Sequence, residues 1–183
     1  MRDHPRHFGP LGRGQIGRWA MLAAVLVAVL GRADEPVWGH RGALGLTVSA
    51  GGEFLTVIAP TGQGDNGLRA PLELGGTLSL TDHTELLLAG RVAPPGPRPE
   101  WAAFAGIRNS RGDRVKTFFD LLLAATLSPV WTLGFRLGLG VQYELLPVMG
   151  AYAVAGVQGG FGAGLRLSFE LLLGLQFRTY LFQ

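Results

Sequence analysis

From residue 40 onward, apolar and polar side chains alternate with a period of two, the mark of strands whose two faces meet different surroundings. The clearest run is Leu133 to Leu145. Its odd positions read Leu133, Phe135, Leu137, Leu139, Val141, Tyr143 and Leu145, and its even ones Gly134, Arg136, Gly138, Gly140, Gln142 and Glu144. The last run repeats the pattern from Leu167 to Arg178, with Leu172 as its one exception on the polar side. Between residues 69 and 80 the phase is even, with Leu72, Leu74, Leu78 and Leu80 set against Arg69, Glu73, Thr77 and Ser79. In Val115 to Leu127, Phe119, Leu121, Leu123 and Leu127 oppose Lys116, Asp120 and Thr126, while Phe118 and Leu122 break the rule. Four weaker runs, at about 41–58, 84–93, 101–108 and 150–158, bring the predicted strands to eight.

Turn chemistry separates these runs, as an up-and-down meander requires. The seven connections are Thr61 to Gly67, Asp82-His83, Pro94 to Pro99, Asn109 to Asp113, Ser128-Pro129, Leu146-Pro147 and Gly159 to Gly164. No linker, second composition regime or solenoid period interrupts the chain, so one domain from about residue 38 to residue 183 is expected.

The first residues follow a different rule. Arg2, Arg6, Arg13 and Arg18 face only Asp3, and an unbroken apolar run of 12 residues follows from Trp19 to Leu30. A membrane-spanning helix needs roughly 20 such residues. With Gly31 and Ala33 in a −3/−1 arrangement, the segment predicts a helical signal peptide over residues 1–33 and a mature protein beginning at Asp34. That division changes the charge argument. Residues 34–183 hold 11 basic against 12 acidic side chains, a net charge of −1, so the basic character of the whole chain belongs to the leader. No basic patch remains for nucleic acid. The chain has no cysteine, which excludes disulfides, thiolate catalysis, Cys-ligated zinc and a lipid on an N-terminal cysteine.

Alternation does not say whether the apolar face points into a core or out to lipid. Composition decides in favour of lipid. Charged residues make up 16% of the chain, against roughly 25% in soluble domains, and the polar faces carry Gly, Ser and Thr between charges, which suits a narrow interior. An eight-stranded barrel encloses a space that its own side chains fill. The less apolar phase holds Arg41, Arg69, Arg91, Arg108, Lys116, Arg136 and Arg178 against Glu73, Glu85, Glu100, Asp120, Glu144 and Glu170. Unpartnered burial of such groups costs several kcal/mol each, so a ladder of Arg–carboxylate pairs across the interior is expected. Lipid exposure in turn demands a closed sheet, because hydrocarbon offers nothing to unpaired backbone groups. The fold class expected is therefore all-β, an eight-stranded antiparallel up-and-down transmembrane β-barrel. Trp101, Trp131 and Tyr143 lie near segment ends in the apolar phase, as interfacial aromatics do.

With these features together, the sequence is similar to the small bacterial outer-membrane barrels of the eight-stranded OmpA/OmpX-like type. The likeness is one of pattern over the leader and the whole mature chain. It implies a bacterial outer-membrane location, lipid as the surroundings, the barrel-assembly machinery as a partner during biogenesis, a monomer, and both termini on the periplasmic side. The connections at 61–67, 94–99, 128–129 and 159–164 would then face outward. The last strand of such proteins usually ends in an aromatic residue in phase with the lipid-facing positions. Here the chain reads Tyr180-Leu181-Phe182-Gln183, which puts Phe182 on the polar phase.

Candidate chemistry is sparse. Of the histidines beyond the leader, His83 lies in the turn Thr81-Asp82-His83-Thr84 with Ser79 nearby, which raises a serine hydrolase reading; a solvated turn is preferred. His40 has no second ligand at metal spacing and is expected to be a terminal or interfacial residue. Arg111-Gly112-Asp113 is read as a tight hairpin rather than an adhesion tripeptide. Gly159-Gly160-Phe161-Gly162 precedes a strand, not a helix whose N-terminus would hold phosphate, and is expected to be a flexible loop. No catalytic residue, cofactor or metal is expected. The leading expectation is a non-enzymatic barrel serving envelope structure or loop-mediated contacts. The alternatives are a narrow pore and a secreted lipocalin-like carrier with its apolar face inside.

Overall fold

The computed structural model of the chain describes residues 40–58, 65–94, 99–128 and 130–180. The predicted leader, the connection 59–64 and Phe182 lie outside the described residues. The strands are β1 Ala43–Ile58, β2 Asp65–Arg69, β3 Leu72–Ser79, β4 Thr84–Ala93, β5 Glu100–Arg111, β6 Val115–Ser128, β7 Thr132–Leu146, β8 Met149–Gly162 and β9 Leu165–Tyr180. β1 pairs antiparallel with both β2 and β3, each strand from β3 onward pairs antiparallel with the next, and β9 returns to pair with β1 from Ala43↔Tyr180 to Ile58↔Leu165. The sheet is closed.

Nine segments make eight barrel strands, because β2 and β3 pair with β1 in one continuous register, Glu53↔Arg69 running on to Ala50↔Leu72. The break is chemical. Pro71 offers its carbonyl to the Gly51 amide at 3.2 Å but has no N–H to return, so the ladder lapses for two residues and resumes.

A walk around the ladder from Gly45 passes Thr77, Leu87, Gly106, Leu122, Arg136, Gln158 and Ser168 and arrives at Leu55, ten residues further along β1. This stagger ties strand tilt to strand number and sets the width of the cylinder. One end of the barrel carries Ala43, Tyr180 and the turns near residues 82, 113 and 147. This is the terminal end of the barrel, and the opposite end is the far end. The turn at Gly112 needs a glycine. Its φ is 112°, and a Cβ there would stand 2.2 Å from the Val115 carbonyl oxygen.

Burial alternates along every strand, and its sense excludes the carrier fold. Leucine and phenylalanine stripes lie outside, with Leu139 67%, Phe169 65% and Leu173 64% exposed, while charged side chains are buried inside. Three details differ from expectation. Phe118, Leu122 and Leu172 do not break the alternation but keep it, facing inward as apolar packing within the lumen. Residues 159–162 are the end of β8 rather than a loop. The strand at 101–108 is longer than its pattern suggested, because Asn109 to Arg111 continue the pairing with β6.

Candidate functional site

Two surfaces define what this barrel does: a lumen of paired charges and an outer wall fit for hydrocarbon. Among the described residues the lumen buries Arg69, Arg91, Arg108, Lys116, Arg136, Arg166 and Arg178 with Glu53, Glu73, Glu85, Glu100, Asp120, Glu144 and Glu170, seven of each sign. Arg41, counted inward in the sequence, is exposed in the chain's approach to β1 and is not among them. Glu53 and Arg166, missed there, are nearly inaccessible.

These groups form tiers. Toward the far end, Arg166 donates from Nη2 to Glu53 at 2.7 Å and to Glu100 at 2.9 Å, and from Nη1 to Glu100 at 2.7 Å; Arg69 adds a bond to Glu100 at 3.2 Å. In the middle, Arg91 and Arg136 share Glu73 and Glu170. Arg91 Nε donates to Glu73 at 2.7 Å and Nη2 reaches both carboxylates, while Arg136 donates to Glu170 from Nε and to Glu73 from Nη1 at 3.2 Å. Each of the two guanidinium carbons lies 4.9 Å from the centre of the Phe104 ring. The aromatic face attracts both cations where water is excluded.

Below this tier, Arg108 grips Asp120 bidentately, at 2.7 and 2.8 Å, and lies 3.9 Å over the Phe118 ring and 5.2 Å from Tyr152. At the terminal end, Glu144 accepts from Arg178 at 2.8 Å and from Gln142 at 2.9 Å, with Lys116 at 3.5 Å and His40 Nε2 at 3.2 Å. Glu85 completes this tier, accepting from Ser79 and Gln176 at 3.2 Å each and facing Arg178 at 3.5 Å.

His40 is the residue whose role the sequence concealed. It is 2% exposed and lies in the barrel mouth, Nδ1 3.0 Å from the Tyr180 hydroxyl, which in turn donates to the Pro147 carbonyl at 3.1 Å. The Asp82 carboxylate accepts from the amides of His40 and Arg41 at 3.0 and 3.1 Å, tying the entering chain to the β3–β4 turn. Ser79 and His83 do not meet as a catalytic pair: the serine faces inward to Glu85, and the histidine is exposed. Among the described residues, no group of three or more His, Asp or Glu side chains is arranged to hold a metal ion.

Glycines make this packing possible. A Cβ on Gly156 would stand 2.7 Å from the Glu170 carboxylate, and one on Gly174 would stand 2.4 Å from the Tyr152 ring. A small hollow beside Arg108, Asp120 and Tyr152 measures about 10 Å³, room for roughly one water.

On the outer wall, Trp101 and Trp131 are 54% and 53% exposed near the far end. Tyr143 lies near the terminal end, with the Arg114 guanidinium 5.1 Å over its ring.

A closed eight-stranded sheet with a hydrocarbon-compatible outside and ion pairs inside is a transmembrane β-barrel, the fold of bacterial outer-membrane proteins, and membrane lipid is the surrounding its wall requires. Two solved structures share that architecture. The N-terminal β-barrel domain of Pseudomonas aeruginosa OprF superposes with a TM-score of 0.55 at 15% identity, over 76% of this chain and 98% of that one. Neisserial surface protein A gives 0.50 at 16% identity, over 76% of this chain and all of that one. No family model and no curated protein matches the chain in sequence.

Proposed function

We propose that the chain is a non-enzymatic integral protein of a bacterial outer membrane, monomeric, contributing envelope structure or surface contacts through its far-end connections. The observation that carries this reading is sidedness. Large apolar side chains cover the wall while fourteen charged ones are buried within it, an arrangement stable in a bilayer and insoluble in water. Export by a leader over residues 1–33, cleaved before Asp34, is part of the same proposal. It is supported by the arginine-rich start, the short apolar run and the small residues at Gly31 and Ala33. The terminal end then faces the periplasm, and assembly passes through the barrel-assembly machinery. The packed tiers favour a closed cylinder over a pore.

The test is envelope fractionation combined with detergent gels of boiled and unboiled samples. A folded membrane barrel pellets with the outer membrane and changes mobility on heating. Recovery in the soluble periplasm with no mobility change overturns the reading.

A further inference from the structure

Two hollows on the outer wall adjoin one another and differ in chemistry. The first, about 430 Å³, is lined by Ala155, whose outward side chain is only a methyl, together with Leu137, Leu139, Val157 and Phe169. The second, about 230 Å³, lies at the terminal end of the β5–β6 hairpin and is lined by Asn109, Arg111 and Thr117. Phe119 and Leu139 belong to both. The register sets their order: Asn109 pairs with Phe119, Phe119 with Leu139, and Leu139 with Ala155. One track therefore runs from a polar rim, across an aromatic and a leucine side chain, to an apolar hollow halfway along β8.

Its polar end carries a cation in need of an anion. Arg111 is exposed and forms no ion pair among the described residues, Asp113 of the same turn included. A guanidinium presents a planar fork of donors that matches a phosphate group. Asn109, held by its bond to Thr84 at 3.2 Å, and Thr117 add side-chain donors beside it.

We propose that this track is a phospholipid site, with the phosphate on Arg111 flanked by Asn109 and Thr117, and one acyl chain passing Phe119 and Leu139 to end over Ala155. A partner helix would use the whole height of the wall. The track instead begins at the rim and stops at mid-strand, the depth of one leaflet, which selects a lipid of the leaflet bathing the terminal end. The inference rests on the membrane reading above and adds a ligand to it.

Native mass spectrometry of the detergent-solubilised, folded protein titrated with phosphatidylglycerol tests the site. Wild type retains one lipid. Arg111→Gln and Ala155→Leu, the first removing the phosphate's partner and the second filling the hollow, each lower the retained fraction at least five-fold while the heat-dependent gel shift persists. Full retention in either variant overturns the site, as does a wild type that shifts on heating but holds no lipid. A wild type without the shift and recovered from the soluble fraction overturns the membrane reading itself, so the two failures are distinguishable.

Discussion

Phe118 lies where a side chain on Gly140 would have to go. A Cβ at Gly140 would stand 2.2 Å from the ring's Cζ and 2.6 Å from the Ala153 carbonyl oxygen. Neither a packed ring nor the backbone of a closed sheet yields easily, so Gly140→Ala is expected to destabilise the barrel by about 1–3 kcal/mol. Gly90, which has nothing within 4 Å of a built Cβ, serves as the control. Gly90→Ala should be neutral or gain up to roughly 1 kcal/mol from the lost backbone freedom of glycine. Urea unfolding in lipid vesicles reads both.

Arg136 closes the central tier with Glu73 and Glu170. Arg136→Ala leaves Arg91 as the remaining cation between those two carboxylates, and the midpoint of thermal unfolding should fall. Breaking one side of a buried ion pair typically costs about 3–5 kcal/mol. An unchanged midpoint would refute the pairing.

The Arg108–Asp120 pair is the most self-contained of the lumen and permits a cleaner experiment. Arg108→Met alone strands a carboxylate that is 3% exposed and should be strongly destabilising. Adding Asp120→Leu removes the stranded charge, and the double variant is expected to recover most of the loss, because apolar replacements of a whole buried pair are often neutral. A double-mutant cycle checks this, and additive losses would contradict it.

The outer wall responds to charge in the opposite way. Leu173 is 64% exposed at the middle of β9. Leu173→Arg should cost about 2–4 kcal/mol in a bilayer, as cations do at the midplane. In vesicle-folded protein the penalty should shrink when arginine is moved to the rim as Tyr143→Arg. Equal penalties at the two depths would place the wall outside hydrocarbon.

Among the described residues the lumen is packed with guanidiniums, carboxylates and the inward Phe104, Phe118 and Tyr152 side chains, which disfavours a continuous water path. In planar bilayers the wild type should therefore show no conductance above background. Steady single-channel currents would reopen the pore reading.

The strand pattern and the closed barrel were legible in the sequence because lipid contact imposes a strict period of two, and β7 and β9 keep it almost without fault. The charges were harder to assign. Glu53 sits in β1 beside Gly51 and Gly52, where small residues and the inward Leu55 and Val57 blur the alternation. Arg166 falls just after a glycine-rich stretch that reads as loop. Arg41 shares its parity with the inward positions but lies ahead of the first paired residue, where the chain has not yet entered the sheet. Parity carries no information outside a ladder. Phe118, Leu122 and Leu172 read as errors because the inward phase was expected to be polar throughout, whereas a cylinder this narrow also needs rings and methyls between its charged tiers. His40 depends on Glu144 and Tyr180, respectively 104 and 140 residues away, and no local pattern announces a contact of that range.

The seam between β1 and β9 has a consequence for how the molecule comes to exist. Ala43 and Tyr180, near opposite extremes of the described polypeptide, are cross-strand partners in the finished wall. No shorter piece of the chain is a smaller version of the whole, since a cylinder lacking its final stave has two raw edges that oil will not tolerate. The wall therefore has no open edge only once all 16 residues of β9 are in place, paired with β8 on one side and β1 on the other.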